Sequence, residues 1–170
     1  MIHAIYGNGK GKTSSAVGMA IRAAGHGYEV GFVQFMKDGR SSETHILKNI
    51  PNIDYFCPGS HEWALPGMGL AESQQKHALC CLKYVLENEK DMLVCDEILN
   101  VPLFGLNGDK PFTYNDIGDM LQEKPPYMEL VMTGLYLPSE LEDICDYSSC
   151  IQPKKHPFDK GVMARPGVEY

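Results

Sequence analysis

The sequence predicts a three-layer α/β fold with a mainly parallel central sheet. Short apolar runs bounded by polar or glycine-rich residues alternate with longer stretches of helical periodicity along the chain. The first run, Ile2 to Ile5, leads into a glycine-rich loop and then into a small-residue helical pattern from Ala16 to Ala24. A second run, Glu29 to Met36, follows closely enough for a parallel pair joined by a right-handed crossover. In such sheets ligands gather at the carboxyl ends of the strands.

The remaining elements follow in order. Strand Ile2–Tyr6 precedes loop 7–12, and a helix runs to about Ala24, where Gly25-His26-Gly27 ends it. After the strand 29–36, Lys37-Asp38-Gly39 opens a loop of the kind that presents ligand groups. A short helix is expected over Thr44–Asn49 and a third strand over Ile53–Cys57. Residues 58–69, from Pro58 to Gly69, read as an irregular segment holding the only tryptophan, Trp63. On periodicity alone that tryptophan pins the loop to the body of the protein. Ala71–Glu89 reads as a helix with Ala78, Leu79, Leu82, Val85 and Leu86 on its apolar face. Met92–Cys95 is a buried strand ending in Asp96-Glu97. Thr113–Lys124 is a helix capped by Thr113 with Asp116 in its first turn. Strand Glu129–Gly134, helix Pro138–Cys145, a last strand over Tyr147–Gln152 and a polar, basic tail to Tyr170 complete the chain.

A chain of 170 residues without repeats, linkers or low-complexity segments reads as one domain, 1–170, large enough to bury a core. A net charge of -7 argues against a nucleic-acid partner, which usually meets a basic face. No apolar run reaches membrane-spanning length, so no membrane role is expected. None of the six cysteines forms a C-x-x-C pair, so no zinc site is expected. With no export signal ahead of Met1, the expected compartment is the cytoplasm, with reduced thiols.

The chemistry concentrates in Gly7-Asn8-Gly9-Lys10-Gly11-Lys12-Thr13-Ser14. Strand, glycine-rich loop and a helix opening on Lys-Thr form a phosphate-binding loop, and the fold is therefore expected to be P-loop NTPase-like. Backbone N–H groups of such a loop cradle an anion, and the helix start presents its positive end to it. Lys12 adds a compact charge and Thr13 a hydroxyl for Mg²⁺. The usual spacing is G-x-x-x-x-G-K-[ST]. Here Tyr6 fills the first glycine slot, the glycines stand at 7, 9 and 11, and Lys10 lies inside the loop. An acidic pair at the end of a buried strand, Asp96-Glu97, supplies the carboxylate such a site needs for Mg²⁺.

Beyond the loop, Arg22-Ala23-Ala24-Gly25-His26-Gly27, Val33-Gln34-Phe35, Asp96-Glu97, Thr133-Gly134 and the tail from Lys155-His156-Pro157-Phe158 to Gly167-Val168-Glu169-Tyr170 carry a more specific pattern. From first strand to last residue the sequence resembles the P-loop type of ATP:corrinoid adenosyltransferase. The resemblance implies ATP and a corrinoid as substrates, Mg²⁺, a reduced flavoprotein as electron donor and a homodimer. It implies attack of Co(I) on the 5′ carbon of ATP, with release of inorganic triphosphate. ATP is then expected to lie reversed in the loop relative to ordinary P-loop enzymes. By position, Gly7, Asn8, Gly9, Lys10, Gly11, Lys12, Thr13 and Ser14 would hold the triphosphate, and Lys12 would act in catalysis. Thr13 and Glu97 would hold Mg²⁺ with Asp96 in support. Arg22 matches a family arginine without a defined role. Trp63 matches an aromatic residue placed under the corrin ring, where it helps displace the lower axial base and eases reduction of Co(II).

Three departures from the family stand out. His61 replaces an aromatic residue two positions before Trp63, and beneath a corrin it could be a spectator, a hydrogen-bond donor or a cobalt ligand. Leu135 replaces an arginine after Thr133-Gly134. The N-terminal extension that many members carry over the site is not in this sequence, which bears on how the site closes. Two other functions compete. An ordinary P-loop ATPase or phosphotransferase would use Glu97 to position its nucleophile and release ADP. A non-catalytic ATP- or corrinoid-binding module would keep the loop without turnover.

Overall fold

The protein is described by a computed structural model covering residues 1–59, 69–105 and 110–170. Its strands are β1 (Ile2–Tyr6), β2 (Val30–Gln34), β3 (Ile53–Phe56), β4 (Met92–Asp96), β5 (Glu129–Gly134) and β6 (Tyr147–Cys150). They form one six-stranded sheet in the order β3-β2-β4-β5-β1-β6. Every pairing is parallel, so the mainly parallel sheet expected from the sequence is parallel throughout.

The helices are α1 (Lys12–His26), α2 (Glu43–Leu47), α3 (Glu72–Glu87), α4 (Asn100–Phe104), α5 (Tyr114–Glu123) and α6 (Ser139–Glu142), with a 3-10 turn at Pro157–Lys160. Side chains alternate across the strands and feed two cores, one on each face of the sheet. On one face Ile5, Phe32, Val94 and Val131 pack with Ala16, Ala20, Ala23 and Ala24 of α1. Four alanines let that helix lie close to the sheet. On the other face Val33, Leu93, Cys95, Leu130 and Met132 pack with Ala78, Cys81 and Val85 of α3 and with Ile117 and Leu121 of α5. The three layers are thus helix, sheet, helix.

β2 and β4 are buried at every position, as central strands of a parallel sheet must be. Their register pairs Gln34 with Asp96, and that of β1 and β5 pairs Tyr6 with Gly134. The carboxyl ends of four adjacent strands therefore arrive at one edge of the molecule. β2 stops at Gln34 rather than Met36, because the chain turns at Met36, whose φ is 53°.

The apolar face expected for α3 is displaced. Leu79 and Leu86 are 47% and 57% exposed, while Gln74, His77, Ala78, Cys81 and Val85 are buried. Polar contacts occupy the buried face: His77 Nε2 lies 2.8 Å from the Gln34 carbonyl, and Gln74 Oε1 accepts the Ala71 N–H at 2.9 Å. Two polar residues sit on the inner face, so hydrophobicity alone mis-phases the helix. The helix α4 was not expected from the sequence. Its Pro102 lies in the first turn, where proline is tolerated. Among the described residues no helix is long and apolar enough to cross a membrane.

Candidate active site

The loop between β1 and α1 is shaped from outside as well as from its own sequence. Gly7 has φ 111°, and a Cβ there would stand 2.4 Å from the Ile151 carbonyl oxygen. Only glycine fits both constraints. The Gly9 N–H donates to that same Ile151 oxygen at 2.8 Å, and the Gly7 N–H to Gly134 O at 3.1 Å. These two amides fix the loop to the chain beyond β6 and to β5 rather than facing an anion. The helical ladder of α1 begins with the Ser15 N–H donating to Gly11 O at 2.8 Å. The amides of Lys12, Thr13 and Ser14 thus stand at the open, electropositive helix end. Lys12 Nζ folds back to donate to Gly9 O at 2.9 Å, which places its ammonium over the loop. Burial lowers the pKa of Lys12, while the carboxylates of Glu97 and Asp96 oppose that shift.

Asp96 is the hub of the polar network. Its carboxylate accepts from the hydroxyls of Thr13 at 3.0 Å and Thr133 at 2.7 Å, and from Gln34 Nε2 at 3.2 Å. Lys37 Nζ completes the set at 2.8 Å. Burial alone would raise the pKa of this carboxyl, but Lys37 and the two threonine hydroxyls outweigh it and hold it below its ordinary value. Burial would likewise lower the pKa of Lys37. Asp96, with Glu97 and Glu43 farther off, pushes it up to about 12 instead.

Glu97 is set differently. Its backbone is left-handed, with φ 65°, a strained conformation for a non-glycine residue. That conformation is held by its N–H, which donates to Thr133 Oγ1 at 2.8 Å. Its carboxylate accepts from Asn100 Nδ2, and Asn100 Oδ1 in turn accepts the Leu135 N–H at 2.7 Å. Burial first, then the neighbouring Asp96, push the Glu97 carboxyl up to about 7, against the pull of Lys37, Lys12 and Asn100. Gly134 allows this packing, since a Cβ there would stand 2.5 Å from Leu99 Cβ.

The structure therefore brings Lys12, Thr13, Asp96 and Glu97 to one edge of the sheet. Thr13 meets Asp96 directly, whereas Glu97 is turned toward Asn100. The donor set suits Mg²⁺, a hard ion that takes few protein oxygens and completes its shell with phosphate and water. The ammonium of Lys37 already sits on those oxygens, so the position accepts a cation. Among the described residues no three His, Cys, Asp or Glu side chains converge as a metal cage. Lys10 is engaged by Glu169 of the tail at 3.3 Å. Arg22 is exposed, about 15 Å along α1 from Lys12 at 1.5 Å per residue, and is not part of this cluster. Trp63 and His61 lie outside the described residues.

Sequence reading missed Glu43, and it found Gln34, Lys37 and Thr133 only as strings or loop residues without roles. For Gln34, Lys37 and Thr133 the signal is positional, since each stands at, or just beyond, the carboxyl end of a strand paired into the center of the sheet, whereas Glu43 opens α2. Beside them a cavity of about 290 Å³ opens between Thr13, Ser14, Lys37 and Glu43 and the tail residues Gly167–Tyr170. The tail is tied down there by the Ser42 hydroxyl, which donates to Tyr170 O at 3.0 Å.

The profile of the family described as ATP:corrinoid adenosyltransferase BtuR/CobO/CobP matches residues 1–170. The chain is 30% identical to the corrinoid adenosyltransferase of Escherichia coli (strain K12), over 96% of this chain and 82% of that protein. It is 30% identical to corrinoid adenosyltransferase CobA of Salmonella typhimurium, with the same coverage. With the corrinoid adenosyltransferase of Pseudomonas aeruginosa it shares 31% identity over 96% of this chain and 80% of that one. A phosphate loop, a strand-end carboxylate and a full-length family match lead to one conclusion: this chain belongs to the ATP:corrinoid adenosyltransferase family.

Proposed function

We propose that the whole chain, 1–170, acts as one domain that transfers the 5′-deoxyadenosyl group of ATP to the Co(I) of a reduced corrinoid and releases triphosphate. The chain is an adenosyltransferase by family, and ATP and corrinoid are its substrates. The observation that carries the reading at residue level is the Thr13–Asp96 contact beneath a loop whose lysine, Lys12, is held over the cradle.

In this reaction the cobalt–carbon bond forms as the carbon–oxygen bond to the triphosphate breaks, and the electron pair of that bond leaves with the oxygen. The leaving group is a polyanion, so catalysis requires preorganised positive charge where that charge grows. Lys12 and the amides at the start of α1 supply it from the chain. Mg²⁺, held by Thr13 and Asp96 and with Glu97 close by, would neutralise further phosphate charge. This assignment gives Asp96 the direct contact and Glu97 the neighbouring position. Gly7 and Gly9 shape the loop, while Asn8, Lys10, Gly11 and Ser14 line or close it. Trp63 would lie against the corrin ring, with His61 nearby. A reduced flavoprotein would deliver the electron that makes Co(I), and the working form would be a cytoplasmic homodimer.

The direct test is anaerobic incubation of the protein with MgATP and chemically reduced cobalamin, followed by absorbance. Conversion to the adenosylated corrinoid is expected, and its absence with intact substrate binding would favour a binding module. Trp63→Ala should spare ATP affinity and impair use of Co(II) corrinoid more than of pre-reduced Co(I). Equal loss with both forms would leave Trp63 a structural residue.

A further inference from the structure

The cation at the center of the site belongs to the chain. Lys37 Nζ lies 2.8 Å from Asp96 Oδ2, donates to Thr13 Oγ1 at 3.2 Å and stands 3.7 Å from Glu43 Oε1. Its side chain is only 9% exposed. The oxygens around it are oriented by other residues. Gln34 Nε2 holds both Asp96 Oδ2 and Glu43 Oε1 at 3.2 Å, and its own Oε1 accepts from the Tyr55 hydroxyl at 2.6 Å. Thr133 fixes the other Asp96 oxygen at 2.7 Å, and Ser41 fixes Glu43 at 2.8 Å. The cup is therefore built independently of the ammonium that fills it.

Two of its oxygens, on Thr13 and Asp96, are those a divalent ion would use. A dication and an ammonium cannot share them, because like charges a few ångströms apart in a partly dry site repel strongly. Lys37 also borders the cavity beside Thr13 and Ser14, so its head group has polyanion-sized space to move into. It stands at a chain turn, between Met36 with φ 53° and Gly39 with φ 73°.

We propose that Lys37 is the resident cation of the metal position: without nucleotide its ammonium neutralises Asp96 beside Thr13, and when a metal–triphosphate complex enters, the divalent ion takes Thr13 and Asp96 while the ammonium passes to a phosphate oxygen in the adjoining cavity. This rests on the reading of the loop as a triphosphate site. The exchange keeps a cation beside Asp96 before and after the complex enters. It makes the bare metal a poor ligand, because Lys37 occupies its place, and the bare triphosphate a poor ligand, because Lys37 stays paired with Asp96. Metal and triphosphate bind together, and Lys37 is a positioning residue that selects the complex.

The test is Mn²⁺ binding, read from the electron paramagnetic resonance of the free ion, with and without inorganic tripolyphosphate and with no corrinoid present. Lys37→Gln removes the charge but keeps a donor for Asp96, and Lys37→Met removes both. In either variant, bare Mn²⁺ should bind at least tenfold tighter than in the unsubstituted protein. The factor by which tripolyphosphate tightens Mn²⁺ binding should shrink at least tenfold. Unchanged or weaker Mn²⁺ binding in a folded variant overturns the proposal. The unsubstituted protein tests it as well: bare Mn²⁺ binding as tight as that with tripolyphosphate would also overturn it. Failure to adenosylate a corrinoid would count against the proposed reaction and leave these titrations readable.

Discussion

Thr133 donates to Asp96 at 2.7 Å and accepts the Glu97 N–H at 2.8 Å, so one buried hydroxyl sets both the carboxylate and the strained backbone beside it. Thr133→Val keeps the shape and removes both bonds. A cost of about 1–3 kcal/mol for each group left unpaired is expected in urea unfolding, and no loss would mean the network is slack. Lys12→Ala should lower turnover by about 10²–10³-fold, as loss of one donor to a developing oxyanion does; near-normal rates would remove Lys12 from the site. Glu97 gives a pH signature. Its carboxyl rises from 4.5 to about 7 on folding, so between those values the folded state holds a proton that the unfolded chain has released. Metal-free stability should therefore fall as pH rises through that window, by about 3 kcal/mol at 1.36 kcal/mol per pH unit. Urea midpoints at pH 5 and pH 8 check this against Glu97→Gln, in which that slope should vanish. At this scale the sequence displays Lys12, Thr13 and Asp96-Glu97 openly, because motif spacing places them. It hides Gln34, Lys37, Glu43 and Thr133, because their roles depend on which strands lie side by side. It also cannot show that Gly9 directs its N–H to Ile151, a contact across 142 positions of chain.

Among elements, α5 was the most legible. Thr113 and Asp116 form a reciprocal cap, with the Asp116 N–H donating to Thr113 Oγ1 at 3.3 Å and the Thr113 N–H to Asp116 Oδ2 at 2.6 Å. Thr113→Ala should destabilise the protein by about 1 kcal/mol without touching the site, measured as a small drop in Tm at unchanged turnover. The loop between β1 and α1 should behave oppositely. Gly7→Ala must adopt φ 111° and displace the Ile151 carbonyl, so both stability and triphosphate affinity should fall together. Loss of stability alone would show that the backbone around the cradle can adjust. Helix α3 shows where pattern reading stops. Its length was legible, but its buried face carries Gln74 and His77, and the partners they meet there, the Ala71 N–H and the Gln34 carbonyl, are not marked by hydrophobic periodicity.

Across the whole molecule, strand order is what creates the site. Alternating strands and helices identify an α/β sheet, yet nothing local in the sequence says that β4 lies between β2 and β5. That order sets Asp96 beside Gln34 and within reach of Thr133. It also puts α1 under the same edge, so that the phosphate loop faces the acidic pair. The tail then crosses from β6 back over the loop, held by Lys10–Glu169 and Ser42–Tyr170, and closes one side of the cavity. The most direct test of the account is the phosphorus product of turnover with MgATP and reduced cobalamin, identified by ³¹P NMR. Inorganic triphosphate, formed in equal amount to the adenosylated corrinoid, is the predicted result. ADP with orthophosphate, at unchanged corrinoid, would contradict it.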